Sequence, residues 1–199
     1  MSGTSKMTSG QIAMGATFVG IVALCLGATV YAVFPVAHNQ GYAPEQPIPF
    51  SHKLHAGERK IDCKYCHVGV TKGPHATVPA MNVCMNCHSV VKTDSPHIQK
   101  LKKHFDEGKP IEWVRIHEMP DFVFFNHKPH IDKGVSCSTC HGDVARMERV
   151  VQDKTLHMGF CINCHRGETA PKAVLRRVYP DAENPEGPVA PTDCYTCHY

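Results

Sequence analysis

Ten of the 11 cysteines in this 199-residue chain fall into five copies of one spacing, Cys-x-x-Cys-His. The copies are Cys63, Cys66 and His67; Cys84, Cys87 and His88; Cys137, Cys140 and His141; Cys161, Cys164 and His165; and Cys194, Cys197 and His198. This spacing attaches a c-type haem: two thiols add across the porphyrin vinyl groups and the adjacent imidazole binds the iron. A zinc ribbon would pair two Cys-x-x-Cys knuckles and would not place a histidine after every second cysteine. With only Cys25 left over, no disulfide framework is available. The cofactor expected is therefore five covalently bound haems c, attached through the ten paired cysteines, with His67, His88, His141, His165 and His198 as proximal ligands.

The elements that carry these motifs must be short. Residues 1–49 hold no motif, which leaves roughly 30 residues per haem, far below the 100 or more of an ordinary domain. So thin a chain cannot enclose five macrocycles in an apolar core. The expected fold is mostly irregular, with short α-helices wrapped around the five haems and one amino-terminal transmembrane helix. Fifteen prolines and 15 glycines suit such a loop-rich wrapping. The formal charge is +3, but each ferric haem with ionised propionates brings roughly −1, which moves the loaded protein to about −2. No basic run points to nucleic acid.

Residues 12–37 carry no charged side chain, and the apolar stretch 15–34 is long enough to cross a bilayer as a helix. A cleaved signal peptide would need a shorter apolar core and a small-x-small site. Residues 1–11 are expected inside, 12–37 as the anchor in the cytoplasmic membrane and 38–49 as a proline-rich tether. Covalent haem is added on the outer face, which puts the haem-bearing part on the periplasmic side. Cys25 reads as a small apolar filler within the anchor.

Beyond the tether the chain repeats itself. Phe50, His52 and His55 precede the motifs at Cys63 and Cys84, and Phe125, His127 and His130 precede those at Cys137 and Cys161. Corresponding positions are offset by 75, 75, 74 and 77 residues, from Phe50 to Phe125, His52 to His127, Cys63 to Cys137 and Cys84 to Cys161. The constancy argues for duplication of a two-haem module. Residues 50–118 form the first module with its connector, and residues 119–199 the second, with the fifth motif in an extension. Within the connector, Pro96–Glu107 reads as a helix closed by Gly108 and Pro110. Residues 180–191, rich in proline and acids, read as a loop.

Fifteen histidines less five proximal ones leave ten for the sixth iron positions. His52 with His55, and His127 with His130, are the leading candidates, because a spacing of three on a helical turn puts both imidazoles on one side, where they can reach two different haems. For the fifth haem the candidate is His117, with His75, His97, His104 and His157 as competitors. His38 reads as an interfacial residue beside the anchor. A methionine could replace one histidine, with Met158, Met147 and Met81 each lying before a motif; such a ligand would raise that haem's potential.

The phenylalanine-led His-x-x-His followed by Cys-x-x-Cys-His resembles the class III multihaem cytochromes, the c3 and c7 group. Over nearly the full length the chain is similar to the pentahaem cytochrome c subunits of alternative complex III. The likeness rests on the single anchor, residues 49–57, residues 82–88, residues 120–127 with His130, and residues 158–166. It implies an electron-transfer relay without its own substrate site, in a membrane quinol:electron-acceptor oxidoreductase. The partners it implies are an iron-sulfur subunit, integral-membrane quinol-binding subunits and a monohaem cytochrome c or other soluble acceptor. It also keeps Met158, before the fourth motif, among the candidate ligands. Rival readings are a self-contained membrane-anchored quinol dehydrogenase feeding a periplasmic reductase, a catalytic multihaem reductase and a haem sensor. A reductase would need an open iron position, yet no Cys-x-x-Cys-Lys variant occurs. A sensor would need an output domain.

Overall fold

The computed structural model describes residues 8–199, with the backbone alone at residues 35–37. Of the segment 1–11 expected inside, residues 1–7 with Lys6 lie outside the described residues. The chain divides into two units, residues 1–38 and residues 39–199.

The first unit is the helix α1 (Ser9–Ala37). Its stretch Ser9–Phe34 spans 26 residues at a mean hydropathy of 2.2, and at 1.5 Å per residue it is about 39 Å long, more than the ~30 Å hydrocarbon thickness. Large apolar side chains are exposed along its length, among them Phe18, Leu24, Leu26 and Val30. The hydroxyls of Thr17 and Thr29 donate to the Ala13 and Cys25 carbonyls at 3.0 and 2.8 Å, so neither is left unsatisfied in an apolar surrounding.

The second unit has no strand among its described residues and is built of short helical pieces. In order they are a π-helical turn (Lys53–Glu58), α2 (Cys63–Cys66), a 3-10 turn (Val68–Thr71), α3 (Met81–His88), α4 (Pro96–Asp106), α5 (His127–Asp132), α6 (Cys137–His141), a 3-10 turn (Val144–Arg146), α7 (Met158–His165), α8 (Lys172–Val178) and a 3-10 turn (Cys194–Thr196). Pro96 opens α4, where a missing N–H costs nothing, and Gly108 at φ 65° lies just past its end. Residues 180–191 carry no helix.

Apolar burial is sparse. Among the described residues only Ile48, Leu101, Ile111 and Val174 are buried hydrophobics, and the first three share a cluster with Met81, Met85, Ile98 and Trp113. The one fully buried large side chain is polar: Gln152. Its backbone joins the tether, accepting from Gly41 N–H at 2.8 Å and donating to the Tyr42 carbonyl at 3.0 Å. Its amide accepts from Glu118 N–H and donates to the Lys154 carbonyl, both at 3.1 Å. Three segments distant in sequence are thus pinned by one residue.

The two His-x-x-His turns interlock. The turn Lys53–Glu58 packs on the 3-10 turn Val144–Arg146, with Lys53 N–H donating to the Met147 carbonyl at 3.0 Å. Gly57 is required there, because a Cβ would overlap the Ala145 carbonyl oxygen. In the reciprocal contact, α5 packs on the 3-10 turn Val68–Thr71. Each histidine turn therefore sits on the loop that follows the other half's first motif.

Gln152→Leu keeps the volume but removes the partner of two part-buried groups, the Glu118 N–H and the Lys154 carbonyl. The expected loss is about 1–3 kcal/mol for each unpaired group, measured as denaturant unfolding of the haem-loaded protein with its haem content unchanged.

Candidate haem-ligating cluster

The first, third and fifth motifs open their helical turns and the second and fourth close α3 and α7, which places the two cysteines of each at i and i+3 and the histidine at i+4 on one side. His67 N–H donates to the Cys63 carbonyl at 2.9 Å and His198 N–H to the Cys194 carbonyl at 3.0 Å, so the turns are closed. The Asp62 carboxylate caps α2 by accepting from Lys64 N–H at 2.7 Å. All ten motif cysteines are free thiols.

Four pairs of imidazoles face each other. Ring centroids are 6.5 Å apart for His52 and His67, 6.1 Å for His55 and His88, 6.4 Å for His127 and His141, and 6.1 Å for His130 and His165. Two imidazoles bound through Nε2 to one metal atom, with bonds of about 2.0–2.1 Å, put their centroids roughly 6.3 Å apart. Each turn thus delivers its two histidines to two different motifs. Phe50 sets the first turn, stacked on His55 at 4.3 Å and edge-on to His52 at 4.9 Å. Phe125 does the same for His127 and His130 at 4.8 and 4.7 Å.

The far nitrogen of most of these rings is also held. Nδ1 donates to a backbone carbonyl at His55 (Ser51, 2.8 Å), His67 (Thr77, 2.7 Å), His88 (Val91, 3.0 Å), His127 (Pro74, 2.6 Å), His130 (Asn126, 2.8 Å), His165 (Pro191, 2.6 Å) and His198 (Phe122, 2.9 Å). A carbonyl can only accept, so the proton sits on Nδ1 and the Nε2 lone pair is left for a metal. The two exceptions are His52, whose buried Nδ1 has no partner, and His141, which takes the ring of His117 edge-on at 4.3 Å.

Residues 123–199 match the family described as Cytochrome c7 and related cytochrome c. The chain is also 32% identical over 174 residues to a protein of Nitratidesulfovibrio vulgaris named menaquinone reductase, multiheme cytochrome c subunit, covering 76% of this chain and 80% of that one. The chain belongs to the multihaem cytochrome c family. Covalently bound c-type haem follows from membership, and the facing imidazoles and free thiol pairs of this cytochrome fit that group. A cleft of about 360 Å³ beside α3, lined by Val78, Met81, Ile111 and Trp113, adds an apolar seat next to the second motif.

Burial keeps the cluster neutral. The Cys140 thiol is pushed up to about 11, first by burial and then by Cys161, Cys164 and Cys137. Burial likewise raises Cys66, Cys84, Cys161 and Cys164. His52 is pushed down to about 4 by burial, then by His67 and His55; His141 falls to about 4 by burial, then by His117, His127 and His67. Neutral imidazoles are the form that binds a metal.

The remaining candidates lie elsewhere. His117 is half-buried against His141, a ring that already faces His127, and its Nε2 has no hydrogen-bond partner. Among the described residues the ring packed on His198 is that of Phe122, at 5.8 Å. Met158 begins α7 with an exposed side chain. It lies three residues before Cys161, on the same side of the helix, and His165 at the end of that helix donates to the Pro191 carbonyl, three residues before Cys194. The carbonyl partners Pro74, Thr77, Pro191 and Phe122 carried no signal in the sequence, because any residue offers a carbonyl.

The depressed histidines fix a pH dependence. His52 and His141 titrate near 4 when folded and near 6.5 when unfolded, so below pH 6.5 the unfolded chain binds protons that the folded one refuses. Stability is expected to be flat above pH ~7 and to fall steadily from about 6.5 to about 4, since iron on the same nitrogens opposes protonation in the same direction. Denaturant midpoints of the loaded cytochrome across that range check it.

Proposed function

We propose that this chain is the electron-transfer relay of a membrane quinone oxidoreductase, carrying five haems c and holding no substrate site of its own. The observation that carries the reading is the set of four facing imidazole pairs. His67 with His52, His88 with His55, His141 with His127 and His165 with His130 would hold one iron each from both sides, which leaves those irons no position for a substrate. Bound haem c supplies a one-electron couple. The chain's residues keep the coordination unchanged between the two oxidation states: the carbonyl bonds at Nδ1 fix ring orientation, and Phe50 and Phe125 wedge the paired rings.

For the fifth iron, His198 is the proximal ligand and Met158 is the proposed opposite one. The support is its place three residues before Cys161 on α7, the helix whose His165 donates to the Pro191 carbonyl just before the fifth motif. A thioether raises the potential relative to a second imidazole. Met158→Ala is expected to remove the thioether-to-iron charge-transfer band and to lower the potential of one haem in five. An unchanged band and titration would return the role to a histidine.

The membrane part of the proposal rests on α1 and on the relative's name. The anchor would hold residues 39–199 at the outer face of the cytoplasmic membrane, beside integral quinone-binding and iron-sulfur subunits, with a monohaem cytochrome c or another soluble carrier as the further partner. Resemblance to alternative complex III assigns electrons arriving from quinol, whereas the relative is named a reductase; the relay geometry serves either direction. The deciding experiment is gentle membrane extraction followed by addition of a quinol to the isolated chain and to the intact assembly. Haem reduction in the assembly alone is the expected result, with five haems per chain by haemochrome assay. Rapid reduction of the isolated chain would overturn the relay and favour a self-contained quinol dehydrogenase.

A further inference from the structure

The five motifs are linked by contacts that do not follow their order in the chain. The first and second share one histidine turn, His52 facing His67 and His55 facing His88. Their intervening residues also touch, the Asn86 amide donating to the Tyr65 hydroxyl at 3.1 Å. The third and fourth share the second turn in the same manner, His127 facing His141 and His130 facing His165.

Between the two halves the junction joins the first motif to the third. α5, which carries His127 and His130, packs on the turn following the first motif, and His127 Nδ1 donates to the Pro74 carbonyl at 2.6 Å. The fifth motif meets the fourth where His165 donates to Pro191, three residues before Cys194, at 2.6 Å. Among the described residues no hydrogen bond or ring contact joins residues 84–88 to the third, fourth or fifth motif, or residues 194–198 to the first or second.

Building on the haem-ligand assignment above, we infer that the attachment sites form one unbranched series in the spatial order second, first, third, fourth, fifth. Its ends are the motifs of His88 and His198, its centre is the motif of His141, and its two halves join between the motifs of His67 and His141. A site at an end has one neighbour and an internal site has two. Because the interaction between charges falls with separation, the potential of each haem responds chiefly to the charge of those adjacent to it.

The test uses the full-length, haem-loaded protein in detergent. His88→Met and His67→Met each exchange one imidazole for a thioether and leave the attachment cysteines in place. Haem count, and a low-spin spectrum for the four imidazole-paired haems, come first, measured on the unsubstituted protein. Fewer than five haems, or a high-spin fraction among those four, would refute the ligand assignment itself. With that assignment intact, redox titration followed by the paramagnetically shifted haem methyl resonances reads the neighbours. His88→Met is expected to move the midpoint of one other haem, and His67→Met those of two others. The reverse pattern, two for His88→Met and one for His67→Met, is that of a series in sequence order and would overturn the inference. Should a methionine variant fail to load, Cys84→Ser with Cys87→Ser gives a four-haem protein. Three of its four midpoints should then stay in place, and movement of two would refute the order.

Discussion

Two histidines three residues apart on one helical turn lie on the same side, with their Cβ atoms about 5–6 Å apart, and this spacing constrains everything around them. Side chains so placed run roughly parallel and reach separate targets more readily than they close on one atom from opposite sides. His52 and His55 accordingly face His67 and His88, and His127 and His130 face His141 and His165, all at centroid distances of 6.1–6.5 Å. A turn of this kind is a joint: it fixes two attachment motifs relative to each other without any core between them. The phenylalanine that precedes each pair holds the joint at its angle by contacting both rings.

The interlock of the two turns extends the same constraint across the whole second unit. Because each turn rests on the loop after the other half's first motif, neither half can leave without exposing its own ligands. Backbone hydrogen bonds carry this arrangement, from Lys53 to Met147 and from His127 to Pro74. Four buried hydrophobic side chains and one buried glutamine cannot by themselves order some 160 residues against the loss of chain entropy. Covalently bound haem c would supply the apolar surface that completes the fold. The polar pins, chiefly Gln152, then decide how the connecting loops lie rather than how much is buried.

Much of this was legible in the residues because covalent chemistry and metal ligation demand fixed types at fixed spacings. The five motifs, the four turn histidines and the apolar stretch of α1 needed no tertiary information. His117 shows where that reasoning ended. Its aromatic and apolar neighbours suggested a ligand, yet the connector lays its ring against His141, an imidazole that already has a facing partner. Nothing local distinguishes a histidine that faces a motif from one that packs behind it, since the difference depends on how a segment dozens of residues away is folded.

The sequence by itself determined how many attachment motifs the chain carries, which imidazoles share a turn and which helix is uncharged enough to cross a membrane, because each depends on short-range spacing along the backbone. Only the tertiary structure decided which imidazole faces which and which carbonyls fix the Nδ1 protons. Those features arise from the two halves seating on each other, and the contacts that seat them are made by backbone groups that every residue type carries and no pattern of side chains announces.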